Sequence, residues 1–282
     1  MFSTFMIIWF LTYTNARIYN FKETYNNNTL LFVKKIKSSL RHNVNKDEYE
    51  YVVLFVFEDG HELMRICTAC VIAEEWVLTA GHCIMKIPTN VKLNNLYIWY
   101  SNSTVSVSKT KLLSQVLSTF VHPSYNLFES PYFNLLNDIS LLRVDKINML
   151  RYGRLSAVDH MSMIGFPVTF LSCGLKNLSG PVKELASLQS GEGVIVVCDK
   201  EIKMATKHLM CIAPKCSNKM VMPYSGDSGA PLIHDGHVIG VYAFGNTKGK
   251  YRNSAYTPVS PYTDWIYNVM HPEEYRGKDL GG

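Results

Sequence analysis

From about residue 51 onward, the chain alternates between short apolar runs and groups of turn-forming residues. Residues 51–56 read YVVLFV, which is typical of a buried strand. Many short strands separated by turn signals predict an all-β barrel or sandwich. The other β-branched or aromatic runs lie at residues 96–100, 104–107, 139–142, 194–197 and 237–244.

The C-terminal segment departs from this pattern and predicts a helix. Ser260 suits an N-cap, and Pro261 suits the first helical position. Ile266 and Met270 are four residues apart, so both side chains lie on one helical face. We expect an amphipathic helix over residues 261–271.

The first residues predict a secretion signal. Residues 5–11 read FMIIWFL, which is too short to span a bilayer, since a spanning helix takes about 20 residues. The run suits the hydrophobic stretch of a signal peptide that ends at Ala16, although no Lys or Arg precedes it. A buried N-terminal strand is the alternative. Three glycosylation sequons, at Asn27, Asn102 and Asn177, fit a secreted, extracellular glycoprotein.

Composition narrows the class of protein. Of the 282 residues, 47% are hydrophobic and 18% are charged, which excludes a disordered chain and a protein with many membrane spans. The net charge of +5 is mild, and no long block of Lys or Arg marks a surface for nucleic acid. Seven cysteines suit a few disulfides in a secreted domain, and their odd number leaves at least one unpaired within the chain.

Three segments hold the parts of an acyl-transfer site. His82 lies in WVLTAGHC, Asp138 in NDISLL and Ser228 in GDSGAPL. A serine hydroxyl is a weak nucleophile until a neighbouring base takes its proton, and imidazole suits that work because it titrates near neutrality. A carboxylate can hold the imidazole in one tautomer, and glycines beside the serine let backbone N–H groups approach an oxyanion. Each segment alone is weak evidence, whereas the three together are specific.

These segments resemble the trypsin/chymotrypsin family of serine endopeptidases. Residues 79–83, TAGHC, resemble the family's histidine motif T-A-A-H-C, and residues 138–142, DISLL, resemble its aspartate motif. Residues 226–231, GDSGAP, resemble its G-D-S-G-G-P. The likeness covers nearly the whole chain after residue 36. It implies an all-β fold of two antiparallel six-stranded barrels, with a C-terminal helix and the active site between the barrels.

The resemblance assigns a role to each motif residue, following the chymotrypsin triad, which is this family's own mechanism. Ser228 would attack the scissile carbonyl, His82 would act first as base and then as acid, and Asp138 would orient His82. The backbone N–H groups of Gly226 and Ser228 would form the oxyanion hole. An α/β-hydrolase matches less well, because its serine lies in G-x-S-x-G and precedes its histidine.

The resemblance also implies activation by cleavage. In the family, cleavage frees an Ile or Val amine, which pairs with the aspartate before the catalytic serine, here Asp227. Cleavage between Lys35 and Ile36 would supply this amine, although the family's I-V-G-G is replaced by IKSS. Cleavage after Arg17 is the rival, and a basic pair with no processing role is the remaining alternative. We expect a signal peptide over 1–16, an activation prosegment over 17–35 and a serine peptidase domain over 36–282.

The family's disulfides suggest pairings for the cysteines. A Cys67–Cys83 pair matches the bridge that anchors the histidine loop. A Cys198–Cys211 pair lies where the family has a loop bridge in the second barrel. Three cysteines remain, and Cys173–Cys216 with a small buried Cys70 thiol is one assignment of them.

The specificity pocket departs most from the family. In trypsins the residue six before the serine is an Asp at the pocket base, where it pairs with a substrate Lys or Arg; this chain has Met222. Because burying an unpaired substrate cation is costly, we expect an uncharged, apolar side chain before the scissile bond. Gly245 and Ser254 are expected in the pocket walls. Tyr224 replaces a cysteine that bridges the pocket in many members.

Two functions remain open at this point, beside the alternative of an unrelated β-barrel binding protein in which the triad is a coincidence. The first is a secreted serine endopeptidase made as a zymogen, which all three triad residues favour. The second is a non-catalytic homologue that binds or regulates other proteins. The second is kept open by the lost N-terminal glycines, the missing pocket bridge, and Ala243, which replaces a serine that hydrogen-bonds the triad aspartate in the family.

Few partners are expected. The sequence shows no metal cluster, phosphate loop or cofactor motif, so we expect no cofactor and no metal. A protein or peptide is the expected substrate, and the family implies an activating protease and a protein inhibitor. We expect a monomer that binds neither nucleic acid nor membranes.

Overall fold

We describe the fold from a computed structural model of the chain. It describes residues 42–43, 48–100, 112–125, 136–172, 188–198, 209–214, 226–245 and 254–273. The strands are β1 His42–Asn43, β2 Val52–Asp59, β3 Glu62–Ala73, β4 Trp76–Thr79, β5 Leu96–Tyr100, β6 Leu112–Val121, β7 Ser140–Val144, β8 Arg154–Leu155, β9 Pro167–Ser172, β10 Gln189–Val196, β11 Met210–Pro214, β12 Pro231–His234, β13 His237–Gly245 and β14 Ser254–Pro258. The α-helices are α1 Gly81–Met85 and α2 Thr263–Met270, and 3₁₀ turns cover Leu93–Asn95, His160–Met163 and Ser260–Tyr262.

Six strands close the first barrel. They pair antiparallel in the order β2-β3-β4-β7-β6-β5, and β5 returns to β2. Alternation along the strands sends apolar side chains inward, and Leu54, Ile98 and Leu141 are fully buried there. The predicted strand at 51–56 overlaps β2, which begins at Val52 and continues to Asp59.

The second barrel is also built from six strands. The order is β9-β10-β11-β14-β13-β12, and β12 pairs with β9 to close the ring. Its core includes Phe170, Ile195, Leu232 and Tyr256. Two short strands pair with the ring from outside. Strand β1 pairs antiparallel with β10, and β8 pairs in parallel with β13. The predicted all-β fold with two six-stranded antiparallel barrels is therefore confirmed.

The C-terminal helix is confirmed, but its predicted cap is wrong. The helix α2 follows the 3₁₀ turn Ser260–Tyr262, and Ile266 on α2 packs into the core cluster that includes the first barrel. Neither element has a side-chain cap at its N-terminus. The hydroxyl of Ser260 instead accepts a hydrogen bond of 3.3 Å from the backbone N–H of His160. The Ser260 hydroxyl therefore binds a distant backbone group and does not cap the helix, as the local pattern had predicted.

Several predictions concern residues outside the described ranges. These are the signal peptide, the cleavage sites, the three sequons and the strand at 104–107. Among the residues that are described, no helix is long and apolar enough to cross a membrane.

Candidate active site

Barrel topology brings His82 and Asp138 together. Strand β4 ends at Thr79 and β7 begins at Ser140, and these two residues are partners in the antiparallel ladder. Because antiparallel neighbours run in opposite directions, the segment after β4 and the segment before β7 lie at the same barrel edge. His82 lies in α1 just after β4, and Asp138 lies just before β7.

The carboxylate of Asp138 contacts His82 twice. Its Oδ2 lies 2.7 Å from Nδ1 of the imidazole ring, and its Oδ1 accepts a 2.7 Å hydrogen bond from the backbone N–H of His82. The Asp138 side chain is 1% exposed, whereas the His82 side chain is 14% exposed. Since a carboxylate accepts hydrogen bonds, Nδ1 carries the proton and Nε2 is left as the free basic nitrogen.

A second layer of polar contacts holds the loop that carries Asp138. Asn137 has a φ of 56°, in the left-handed region that Asn tolerates better than most residues. Its Nδ2 donates to the carbonyl of Ser124 at 3.0 Å, and its Oδ1 accepts from the hydroxyl of Tyr262 at 3.1 Å. Burial raises the pKa of Tyr262 to about 12, so its hydroxyl remains a donor at neutral pH.

Gly81 departs from the family's usual alanine, and its surroundings explain the change. A Cβ at this position would lie 3.2 Å from Oδ1 of Asp138, 3.3 Å from the backbone N of Ile139 and 3.3 Å from Cδ1 of Tyr125. Burial, and then the negative charge of Asp138, raise the pKa of Tyr125. Glycine thus leaves room for the Tyr125 ring beside the aspartate.

Ser228 lies on a tight turn before β12. Gly226 and Gly229 have φ of 96° and 79°, which glycine adopts without steric cost. A Cβ on Gly229 would lie 2.1 Å from Oγ1 of Thr79 and 2.4 Å from the carbonyl of Thr68, so only glycine fits against the first barrel. This close approach brings the turn to the barrel edge near His82.

The turn is also tied to β3 through the backbone. The N–H of Thr68 donates to the carbonyl of Ser228 at 2.9 Å. Ser228 is 6% exposed. Among the described residues, no hydrogen bond joins Ser228 Oγ to His82. Hydrogen bonds between a catalytic nucleophile and its base often form fully only when substrate binds. Ala243 is buried and supplies no hydroxyl to the site.

Arg65 is a site residue that sequence reasoning missed. Its Nη2 lies 3.5 Å from Oδ1 of Asp227, and the two side chains are only 8% and 4% exposed. The same nitrogen donates to the carbonyl of Gly226. The sequence shows only a single arginine in the largely apolar β3. Its partner Asp227 lies 162 positions away, so no local pattern indicated the pair.

Two of the three expected pocket residues are neighbours. Gly245 on β13 is paired with Ser254 on β14 at the end of the ladder. Ser254 is 2% exposed. Met222 and Tyr224 lie outside the described residues.

Two disulfides lie within the described part of the chain. Cys67 and Cys83 are bonded, which ties β3 to α1 beside His82, and Cys198 is bonded to Cys211. Cys70 is free and fully buried, and burial raises the pKa of its thiol. Cys173 and Cys216 lie outside the described residues.

Among the side chains that the structure describes, one group has the composition of a metal site. The sulfurs of Cys67 and Cys83 and a ring nitrogen of His82 lie within 4.8 Å of one another. The two sulfurs form a disulfide, so neither is a thiolate that could bind a metal ion.

Comparison with known proteins adds to this geometry. The model of the family described as Trypsin matches residues 41–266, which is well over half of the chain. The chain belongs to the trypsin family. This confirms the resemblance drawn from the motifs. The members are serine-type endopeptidases, which are hydrolases.

The trypsin-family chain has relatives in insects and mammals. It is 29% identical to "Trypsin" of Phaedon cochleariae over 80% of this chain and 85% of that protein. It is 23% identical to "Duodenase-1" of Bos taurus over 84% of this chain and 90% of that protein. It is 26% identical to "Venom serine protease 34" of Apis mellifera over 80% of this chain, but it spans only 57% of that protein's length.

A solved structure supports the fold. Neuropsin, a serine protease expressed in the limbic system of mouse brain, matches with a TM-score of 0.62 and 22% sequence identity. The match covers 82% of this chain and 99% of the neuropsin chain.

Proposed function

We propose that this trypsin-family chain is a secreted serine endopeptidase that uses His82, Asp138 and Ser228 as its catalytic triad. One observation carries the proposal. A carboxylate that is 1% exposed holds the His82 ring at 2.7 Å through Nδ1, so that Nε2 remains available as a base. This arrangement supplies the oriented imidazole that a serine nucleophile requires.

The proposed reaction has two halves. Nε2 of His82 takes the proton of the Ser228 hydroxyl as Oγ attacks the substrate carbonyl, and the new imidazolium then gives this proton to the leaving amine. Water, deprotonated by the same nitrogen, hydrolyses the acyl-enzyme and frees Ser228. Asp138 orients the ring and stabilises its positive charge in both halves.

We assign the oxyanion hole to the backbone N–H groups of Gly226 and Ser228. The positive φ of Gly226 is a conformation in which a side chain would be strained, and Gly226 lies two positions before the serine. Donors that are already oriented cost no reorganisation when charge develops on the substrate oxygen.

We propose that Met222, Gly245 and Ser254 form the specificity pocket. A methionine base offers no partner for a substrate cation, so cleavage is expected after an uncharged, apolar residue. The pairing of Gly245 with Ser254 on adjacent strands is compatible with a shared pocket wall.

We further propose secretion as a precursor. Two disulfides suit an oxidising compartment. Cleavage after Lys35 would free the amine of Ile36, and the buried carboxylate of Asp227 is its proposed partner. Cleavage after Arg17 remains the alternative.

The test uses the secreted chain and a fluorophosphonate, which labels only an activated serine. The new N-terminus is first identified by mass spectrometry after cleavage by a basic-specific protease. Labelling that is abolished by Ser228→Ala and by His82→Ala supports the triad. A correctly cleaved chain that is not labelled would instead support a binding or regulatory homologue. A peptide-library profile dominated by cleavage after Lys or Arg would contradict the proposed pocket.

A further inference from the structure

We propose that Lys86 is a specificity-determining residue that recognises an acidic side chain in the first two residues after the scissile bond. The inference rests on the proposed function, since it names a substrate feature that the same active site would select. It concerns the leaving half of the substrate, whereas the proposed pocket at Met222 concerns the residue before the scissile bond.

Lys86 ends the short helix that carries His82. It is the C-cap of α1, and its backbone N–H donates to the carbonyl of His82 at 3.1 Å. Because residues four positions apart are neighbours on a helical surface, the side chains of Lys86 and His82 leave α1 on the same side. The Cys67–Cys83 disulfide ties α1 to β3 and so holds the backbone of Lys86 in place beside the imidazole.

The Lys86 ammonium lies close to the charge of Asp138 without pairing with it. Partial burial lowers the pKa of Lys86, and the negative charge of Asp138 opposes this shift. Both oxygens of Asp138 already contact His82, each at 2.7 Å. Lys86 forms no ion pair with any residue that the structure describes. A partly desolvated cation without a carboxylate, beside reactive groups, is a candidate for binding an anion from outside.

The other two lysines that the structure describes lack this combination. The Nζ of Lys146 already pairs with Oε2 of Glu74 at 2.6 Å. Lys92 is exposed and lies beyond α1, directly before the 3₁₀ turn Leu93–Asn95. Lys86 is therefore the described lysine that is both unpaired and on the helix of the proposed catalytic base. It is also exposed, so a substrate side chain can reach it.

The proposed reaction places the leaving half of the substrate beside α1. Nε2 of His82 gives its proton to the leaving amine, so the nitrogen of the residue after the scissile bond comes within hydrogen-bond reach of the ring. An extended substrate advances about 3.3 Å per residue. Lys86 is one helical turn from His82, about 6 Å along the axis. The first two residues after the scissile bond therefore span the distance from the imidazole to Lys86.

A carboxylate fits this position better than an amide or a second cation. The attraction between an ammonium and a carboxylate grows as water around them is displaced, and substrate displaces water from α1. Ion pairs that stay partly exposed favour association by up to about fivefold. A substrate Lys at the same position would be repelled by Lys86. The chemistry thus points to Asp or Glu after the scissile bond.

The experiment uses the secreted chain after cleavage, with its active-site concentration measured by fluorophosphonate labelling of Ser228. Quenched fluorescent peptides share one apolar residue before the scissile bond and carry Asp, Asn or Lys at one of the two positions after it. We expect kcat/KM at pH 7 and low salt to be about fivefold higher for Asp than for Asn, and lower for Lys than for Asn. At 1 M salt the differences should largely vanish, because screening limits charge interactions to about 3 Å.

Variants of Lys86 assign the preference to this side chain. Lys86→Met keeps the length of the side chain without its charge and should bring the Asp and Asn peptides to equal rates. Lys86→Arg should retain the preference, and Lys86→Glu should invert it in favour of the Lys peptide. Each result is a ratio between two peptides on one enzyme, so incomplete folding of a variant does not change it. A purely structural role of Lys86 would lower the rates for all peptides equally.

The matched control is Lys92→Met, which makes the same exchange at an exposed lysine beyond α1. It should leave the ratio of Asp to Asn at the parent value. A parent chain that cleaves the Asn peptide as fast as the Asp peptide contradicts the role of Lys86 and leaves the triad proposal standing. A preference for Asp that Lys86→Met does not change also contradicts that role. If Ser228 is not labelled and no peptide is cleaved, both the role of Lys86 and the proposed activity are wrong.

Discussion

Asp138 holds His82 at two points, with Oδ1 on its backbone N–H and Oδ2 on its ring Nδ1, both at 2.7 Å. One contact fixes the chain at the start of α1 and the other fixes the ring. Both depend on a group that accepts hydrogen bonds through each oxygen. An amide at position 138 satisfies only one contact as an acceptor, because its nitrogen is a donor.

The first prediction is that Asp138→Asn folds but loses activity. The amide nitrogen would face a donor on His82 and favour the wrong ring tautomer. We expect kcat to fall about 10⁴-fold, the size that this exchange has in the chymotrypsin triad itself. Steady-state hydrolysis of an apolar peptide substrate checks it, with thermal unfolding as the control for folding. A loss below 10-fold would show that the pair does not orient the catalytic base.

The second prediction compares two glycines with positive φ. Gly229 has a φ of 79°, and an added Cβ would meet Thr79 and Thr68 at 2.1 and 2.4 Å. Gly236 has a φ of 72°, and an added Cβ would meet nothing within 4 Å. We expect Gly236→Ala to lower the free energy of unfolding by about 1 kcal/mol, through backbone strain alone.

For Gly229→Ala, the steric overlap adds to that strain. We expect a loss of about 3 kcal/mol, together with loss of Ser228 labelling. Urea unfolding of both variants checks the comparison. Equal losses would mean that the turn can move away from the first barrel without cost.

The third prediction concerns His122 and the pH dependence of stability. Its ring packs edge-on against Tyr262 and Trp265, each with centroids 5.1 Å apart, and its Nδ1 accepts from the N–H of Ser124 at 3.2 Å. Burial lowers the pKa of His122 below its ordinary value of 6.5. The unfolded chain therefore binds this proton more readily than the folded chain.

Stability should thus fall as the pH drops through about 6.5, until the folded histidine is also protonated. His122→Phe should remove this part of the slope between pH 7.5 and 5.0 in urea unfolding. His271→Phe, at an exposed histidine, is the matched control. An unchanged slope in His122→Phe would assign the pH dependence to other groups.

The fourth prediction is that Cys70 does not react in the native protein. The thiol is fully buried, burial raises its pKa, and a Cβ on Gly153 would lie 2.5 Å from its sulfur, so the space around it is filled. Because the thiolate is the reactive form, iodoacetamide should modify Cys70 only after the chain unfolds. Peptide mapping with and without urea checks this. Equal rates in the two conditions would show that the first barrel opens readily.

The local features of this chain were readable from sequence. Runs of β-branched and aromatic residues identified β5 and β13, because such side chains pack well on the pleated surface of a strand. The helix α2 was recognised from pairs four residues apart, because such residues lie on one helical face. The candidate site residues His82, Asp138 and Ser228 were found because the chemistry restricts both the residue types and their immediate neighbours.

Other features depend on closure of the barrels. Ser260 suited a local cap, yet its hydroxyl binds the backbone of a residue 100 positions away. Glycine at position 81 has a reason only once Tyr125 and Asp138 are packed against it. No local pattern encodes which distant atoms will fill that space.

Sequence alone therefore determined the fold class, the family and the three residues proposed for chemistry, since each rests on periodicities or motifs a few residues long. Tertiary structure decided how those residues are held. It placed both oxygens of Asp138 on His82, and it put Arg65 against Asp227 across 162 positions. The contact between Arg65 and Asp227 arises where β3 meets the Ser228 turn, and only closure of both barrels brings these two segments together.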